Sequence, residues 1–225
     1  ENRSYILKTK EGSIQSKKIV VATNGFYQEG LIPQMDGRVL PVISNIIVTR
    51  KLNEDELNVH NFKTFSPIAN TKNLLYYYRK LPDNRILFGT RGDLTGSDQS
   101  NLAMSKKMEK FLKNIFPQWS NVTIDYNWRG LIALSQKLTP SIGKIDNEEI
   151  YYGFGYNGVG VSAAPWTGKQ LSKLVFSSNS KELDISKIYK GLPKKFISPQ
   201  LRVFYFRLAV LFYTLKDTFN IYENI

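Results

Sequence analysis

The chain has 225 residues, enough for one large domain or two small ones with a real core. It has no cysteine, which excludes disulfides, thiolate metal sites and a cysteine nucleophile. Its net charge of +12 is scattered in pairs such as Lys17-Lys18, Lys106-Lys107 and Lys194-Lys195, so no basic arm for nucleic acid is present. The balance of 42% hydrophobic and 22% charged residues is that of a globular protein, and the cytoplasm is the expected setting.

The chain opens in a hairpin pattern: Ser4 to Thr9, a turn at Glu11-Gly12, then Ser13 to Ser16. Lys18 to Thr23 is a short apolar run that reads as a buried parallel strand ending at Asn24-Gly25. Arg38 to Arg50 is strand-like, with Pro41 implying an edge or a bulge. Asn53 to Glu56 has the form of a capping box. Leu74 to Lys80 and Arg85 to Arg91 flank Leu81-Pro82-Asp83-Asn84 as a hairpin. Met104, Met108, Phe111, Leu112 and Ile115 recur at helical spacing, which predicts an amphipathic helix over Asp98 to Phe116, ended by Pro117. Val122 to Leu134 is a long strand candidate.

Near the other end, Glu149 to Phe154 reads as a strand, Gly155 to Val161 as a glycine turn, and Ser162 to Phe176 as a helix. Such a corner offers free backbone N–H groups to an anionic or electron-rich ligand, and glycine lets that ligand approach the backbone closely. An ordinary tight strand-to-helix connection has the same pattern. Leu201 to Phe219 is an apolar helix whose longest uncharged run, Leu208 to Leu215, is too short to span a bilayer. It reads as a helix packed on the body of the protein, with peripheral membrane contact through 201–219 as the alternative. The middle mixes antiparallel strands with one helix, and the flanks carry the glycine-bounded elements. The expected organisation is a substrate domain at 38–127 inserted into a cofactor domain at 1–37 and 128–225.

Several segments, in order, resemble the FAD-dependent amine and D-amino-acid oxidoreductases. Val20 to Gly25 looks like the strand ending in an Ala-Thr-Gly-type turn under FAD, and Arg38 to Val42 like the crossover into the substrate domain. Tyr78 to Asp83 with Leu87 to Arg91 resembles the family hairpin. Trp128-Arg129-Gly130 and Pro140-Ser141-Ile142-Gly143 resemble the returning strand and its Pro-x-Ile-Gly turn, and Gly155 to Val161 the flavin-contacting loop. Asn24-Gly25-Phe26, Ser44 to Thr49 and the apolar tail look most like the gamma-glutamylputrescine oxidase group.

The resemblance implies an α/β fold with an α+β substrate domain: the rear half of an FAD-binding, glutathione-reductase-like fold with an inserted mixed or antiparallel sheet. It also implies an opening strand, a Gly-x-Gly-x-x-Gly turn on the FAD pyrophosphate and an acidic residue on the ribose. The chain opens on none of these, and its glycine cluster is read as Gly155-x-x-Gly158-x-Gly160 near the other end. It is therefore expected to be the C-terminal portion of a longer protein, inactive by itself.

By the same resemblance FAD is the cofactor, held noncovalently, with contacts from Ala22, Thr23, Asn24, Gly25, Gly155, Tyr156, Asn157, Gly158, Val159 and Gly160. The job of steadying the reduced ring falls on the backbone of Asn157, Gly158, Val159 and Gly160. No metal and no side-chain base is expected, and the single histidine, His60, reads as an exposed loop residue. Amino-acid oxidases of the family hold the substrate carboxylate with an arginine in Trp-x-Gly-Leu-Arg-Pro. Laid without gaps from Trp128, that arginine falls at Ile132, the following proline at Ala133 and a later aspartate at Lys137. Isoleucine makes no bidentate pair with a carboxylate, which favours an amine substrate of the gamma-glutamylputrescine kind. Glycine, sarcosine or a D-amino acid remains the alternative, with Arg91 or Arg129 taking the carboxylate. Arg79 and Arg91 end adjacent strands as candidate anion contacts or as solvated strand ends. Tyr76 and Tyr78 share a strand face and are candidates to line the cavity or to fill the core. Trp128 reads as a core anchor. A basic membrane-surface or interaction module is the non-enzymatic reading.

Overall fold

The computed structural model describes residues 4–176 and 184–219. The chain divides into two compact units, Glu1–Pro41 with Ile132–Arg202, and Val42–Leu131 with Val203–Ile225. Two of the three boundaries fall inside strands, β4 (Leu40–Thr49) and β8 (Ile124–Leu134), and the third after the first residue of a helix, Arg202–Thr218.

The first unit opens on an antiparallel hairpin, β1 (Tyr5–Lys8) with β2 (Ser13–Ser16). Its main sheet has the order β3-β10-β9. There β10 (Ile150–Phe154) runs parallel to β3 (Ile19–Val21) and antiparallel to β9 (Ser141–Lys144). Helix α3 (Gly160–Phe176) covers one face. Alternation along β10 divides its side chains between two cores. Tyr152 and Phe154 join Val21, Ile32, Met35, Val39, Ala133 and Ile145. Tyr151 joins Ile142, Leu171 and Leu174 on the α3 side. Gly153 also faces α3: a Cβ there would meet Thr167 Cγ2 at 2.6 Å and Leu171 Cδ1 at 2.7 Å. A strand buried on both faces explains why 150–154 reads as an almost unbroken apolar run.

The second unit is a five-stranded sheet in the order β5-β6-β7-β4-β8. Its further strands are β5 (Ile68–Ala69), β6 (Tyr76–Lys80) and β7 (Ile86–Arg91). The register Tyr78↔Phe88 and Ile47↔Phe88 brings one side chain from each of three strands to one face. Helix α2 (Asp98–Ile115) packs there through Met104, Met108 and Leu112, the buried stripe its sequence spacing predicts. Ser97 starts α2 by accepting a hydrogen bond from Ser100 N at 3.1 Å. On the other face Tyr77 lies across Gly89, where a Cβ would meet its ring at 2.2 Å, and its hydroxyl is 3.0 Å from Ser44 Oγ. Strand β4 is interior, not an edge. Pro41 is accommodated because the pairing with β7 begins three residues later, at Ser44↔Arg91.

Helix α4 (Arg202–Thr218) belongs to the second unit from Val203 on, although the sequence reading grouped it with the flanks. The reason is local. Buried Asp217 accepts from Asn73 N and Nδ2 at 3.0 and 2.8 Å and from Leu74 N at 2.9 Å. Burial pushes its carboxyl up, but the three donors outweigh that and hold it below the usual carboxylate range. Among the described residues no helix is long and apolar enough to cross a membrane.

His60 and Trp128 depart from expectation. His60 ends α1 (Glu54–Val59), and its ring meets Phe116 and Trp119 edge-on at 4.9 and 5.1 Å, inside an aromatic cluster. Trp128 is 46% exposed; the buried tryptophan of this unit is Trp119, whose Nε1 donates to Glu56 O.

The capping box of α1 is present as predicted, with Glu56 N donating to Asn53 Oδ1 and Asn53 N to Glu56 Oε2. Arg50 adds two hydrogen bonds to the Glu56 carboxylate. These bonds, led by Arg50, work against burial and depress the Glu56 carboxyl from 4.5 to about 2. A depressed value means the stabilisation is present above the unfolded value and is lost as pH falls through about 2. Glu56→Gln is expected to cost about 1–2 kcal/mol at neutral pH. That difference should shrink toward zero between pH 4.5 and about 2, as checked by urea denaturation of both proteins at each pH.

Candidate flavin-binding corner

The first unit brings the two predicted cofactor segments together. Residues Asn24–Phe26 form a 3-10 turn directly after β3, and Asn24 takes a positive φ of 48°. Its Oδ1 accepts from Gly155 N at 3.0 Å, tying the end of β3 to the end of β10. Gly25 is buried, while Ala22 and Thr23 are exposed.

Asn157 fixes the rest of the corner. Its N–H donates to Ala133 O at 3.0 Å, its Oδ1 accepts from Ser135 N at 2.9 Å, and its Nδ2 donates to Gly155 O. The end of β8 is thereby bound to the turn before α3. Gly155 and Gly158 have φ of +76° and +102°, which side chains rarely tolerate. Val159 N donates to Tyr156 O at 2.9 Å. The N–H groups of Asn157 and Val159 are thus already used. Those of Gly158, Gly160, Val161 and Ser162 have no acceptor among the described residues, as expected at the first turn of a helix. A Cβ at Gly158 would meet nothing within 4 Å, and Val161 is 97% exposed.

The Ser135 hydroxyl is buried without a partner among the described residues and lies 3.3 Å from where a Gly155 Cβ would stand. Ile132, where the family arginine would fall, is half-buried at the end of β8. Lys137, where the aspartate would fall, donates to Lys190 O at 2.7 Å, and burial lowers its pKa. The remaining candidates lie in the second unit. Tyr78 packs in the aromatic core, its ring parallel to Phe88 and edge-on to Phe116. Tyr76 and Arg91 line a cavity beside α2 and α4. Arg79 has a buried Nε without a partner among the described residues. Arg129 is committed to the start of α2, donating to Ser97 O at 2.7 Å and Asp98 Oδ1 at 3.1 Å. No group of three or more acidic or histidine side chains that could hold a metal occurs among the described residues.

The profile of the FAD dependent oxidoreductase family, DAO, matches residues 1–174. The chain belongs to this family. It is 29% identical to the gamma-glutamylputrescine oxidoreductase of Escherichia coli K12 over 219 residues, 96% of this chain and 49% of that protein. It spans about half the length of the curated relatives it matches. Its fold resembles glycine oxidase from Geobacillus kaustophilus, with a TM-score of 0.64 and 16% identity over 86% of this chain and 50% of that one. L-proline dehydrogenase from P. horikoshii gives 0.57 and 21% over 76% and 46%. The fold is that of the DAO oxidases, and the family is FAD-dependent.

The corner offers what the ring end of such a cofactor would need: N–H groups without an acceptor among the described residues, a helix N-terminus, and a glycine at 158 with nothing within 4 Å of a Cβ. It fits the pyrophosphate end less well. Gly153, Gly155 and Gly158 do spell Gly-x-Gly-x-x-Gly, a pattern the sequence reading missed. In the dinucleotide fingerprint the helix leads to a second parallel strand carrying the ribose-binding acid. No strand follows β10 in this sheet among the described residues, and its second neighbour, β9, is antiparallel. Gly158→Ala is expected to cost about 1–2 kcal/mol of stability through its positive φ. If the corner holds FAD, the same change should raise the FAD dissociation constant of the gene-encoded protein tenfold or more. Flavin fluorescence titration beside thermal unfolding separates the two effects.

Proposed function

We propose that this chain is the part of an FAD-dependent amine oxidoreductase that holds the flavin ring and binds the amine, with gamma-glutamylputrescine or a similar γ-glutamylated amine as substrate. The single observation that carries the substrate reading is Ile132 in place of the carboxylate-binding arginine. The likeness to gamma-glutamylputrescine oxidoreductase supports it. We assign the C-terminal portion of the parent protein to this chain, cofactor binding to the flanks and substrate binding to the middle.

Bound FAD supplies the acceptor for a hydride from the carbon next to the substrate nitrogen. The chain's own contribution is positional and electrostatic. Ala22 to Gly25 and Gly155 to Gly160 form the proposed contact surface. Within it, Asn24 and Asn157 hold the backbone in place. The free N–H groups of Gly158 and Gly160 and the α3 N-terminus, worth about half an elementary charge, steady negative charge on an electron-rich ring edge. Gly158→Ala, described above, probes that surface. No side chain is required as a base when the amine binds neutral. Ile132 removes the cation that a carboxylate beside the reacting amine requires and places an apolar side chain there instead; the glutamyl carboxylate of the proposed substrate is remote from that amine.

Steady-state assays of the gene-encoded protein test the reading. The expected kcat/KM on γ-glutamylputrescine is at least tenfold above that on glycine, sarcosine or D-alanine. Ile132→Arg is expected to narrow that gap by lowering KM for the small amino acids. Preference of the unsubstituted protein for the amino acids would overturn the substrate assignment.

A second reading concerns location. Phe204, Leu208, Leu211, Phe212 and Leu215 are exposed at spacings that form one stripe on α4, with exposed Phe219 just past its end. Arg207 and Lys216 flank the stripe, and the helix's acid, Asp217, is buried. An apolar stripe bordered by cations supports peripheral contact with an anionic lipid surface. Co-sedimentation with vesicles containing phosphatidylserine is expected, and Phe212→Glu with Leu208→Glu should abolish it. Absence of binding at low salt would remove this reading.

A further inference from the structure

The second unit has an open cavity of about 530 Å³ beside α2, α4 and the ends of β6 and β7. That volume is in the range of small-molecule sites, roughly 300–1,000 Å³. Three cations line it: Lys72, Arg91 and Lys107. None of the three forms a salt bridge among the described residues. The one carboxylate in the lining, Asp217, has both oxygens engaged by Asn73 and Leu74. The rest of the lining is partly apolar, and the Lys107 ammonium itself lies 5.4 Å from the centroid of the Phe111 ring. Tyr76 and Phe111 pack with ring centroids 4.9 Å apart, and Met104 lies beside them. The Tyr76 hydroxyl makes no hydrogen bond among the described residues. Burial raises its pKa, so it stays protonated and remains a donor.

We propose that this cavity is a binding site for a small organic dianion with an apolar body, its charged end between Lys72, Arg91 and Lys107 and its apolar end against Tyr76, Phe111 and Met104. Three cations against one carboxylate leave an excess of two positive charges. Two charges on one end of the ligand match it. The aromatic and thioether wall adds a selection that inorganic phosphate does not meet. A phosphate monoester and a dicarboxylate share the required chemistry. This site is built within one unit and does not depend on the flavin assignment.

Calorimetric titration of the gene-encoded protein tests it with two probes, phenyl phosphate and phenylsuccinate, against phenol and inorganic phosphate as controls. Saturable binding of either probe is expected, at least tenfold tighter than either control and weaker at higher salt. Thr214 faces the cavity from α4, and among the described residues its hydroxyl bonds only to Val210 O of its own helix. Thr214→Glu therefore adds a negative charge without removing a tertiary bond. Probe affinity in this variant is expected to fall tenfold or more with an unchanged circular dichroism spectrum. Lys107→Met gives a second, uncharged test of the same effect. Failure of both probes to bind saturably would overturn the proposal, as would binding untouched by both substitutions.

Discussion

The corner rests on Asn157. One short side chain and its own N–H engage Ala133, Ser135 and Gly155, so a strand end, a glycine turn and a helix start share one support. The backbone polar groups of such a turn need partners when water is excluded, and Asn157 supplies them from one side only. The N–H groups of Gly158 and Gly160 are left without an acceptor among the described residues. Asn24 does the same for the end of β3 through Gly155 N. The two asparagines adopt positive φ, a conformation that asparagine accepts more readily than most residues.

The second unit uses buried carboxylates in a comparable way. Asp93 accepts from Thr95 N, Gly96 N and Ser100 Oγ, and Arg129 Nη1 lies 3.5 Å away. Burial pushes its carboxyl up, and the donors together bring it below the usual range. A carboxylate held by several backbone donors fixes a loop more firmly than an exposed ion pair would. Asp93 thus defines the approach to α2, and Asp217 the seat of α4. Both are ordinary acidic residues in sequence; Asp93 closes a local turn, whereas Asp217 acts across a chain distance that sequence spacing does not encode.

This contrast separates what could be read from residues alone from what could not. Helix α2, the β6–β7 hairpin and the capping box follow from periodicity and short-range hydrogen bonding, which act within a few residues. The glycine corner was legible for the same reason: strand, turn and helix adjoin. Which N–H groups stay free was not legible, because Ala133 and Ser135 reach the turn from another segment. Tyr76 and Tyr78 were correctly put on one face, but alternation does not say which face a helix covers; α2 covers theirs. Trp128 and His60 were misjudged because residue type was taken as a guide to burial, whereas Trp119 and Phe116 decide the aromatic cluster.

Gly153 carries a mechanical consequence. Without a side chain there, α3 settles onto β10 at a depth set by Thr167 and Leu171. The same helix begins at the corner, so its seating height and the position of its leading amides are one variable. A single methyl at 153 would act as a shim under the helix and shift those amides from about two helical turns away, leaving every residue of the corner chemically unaltered.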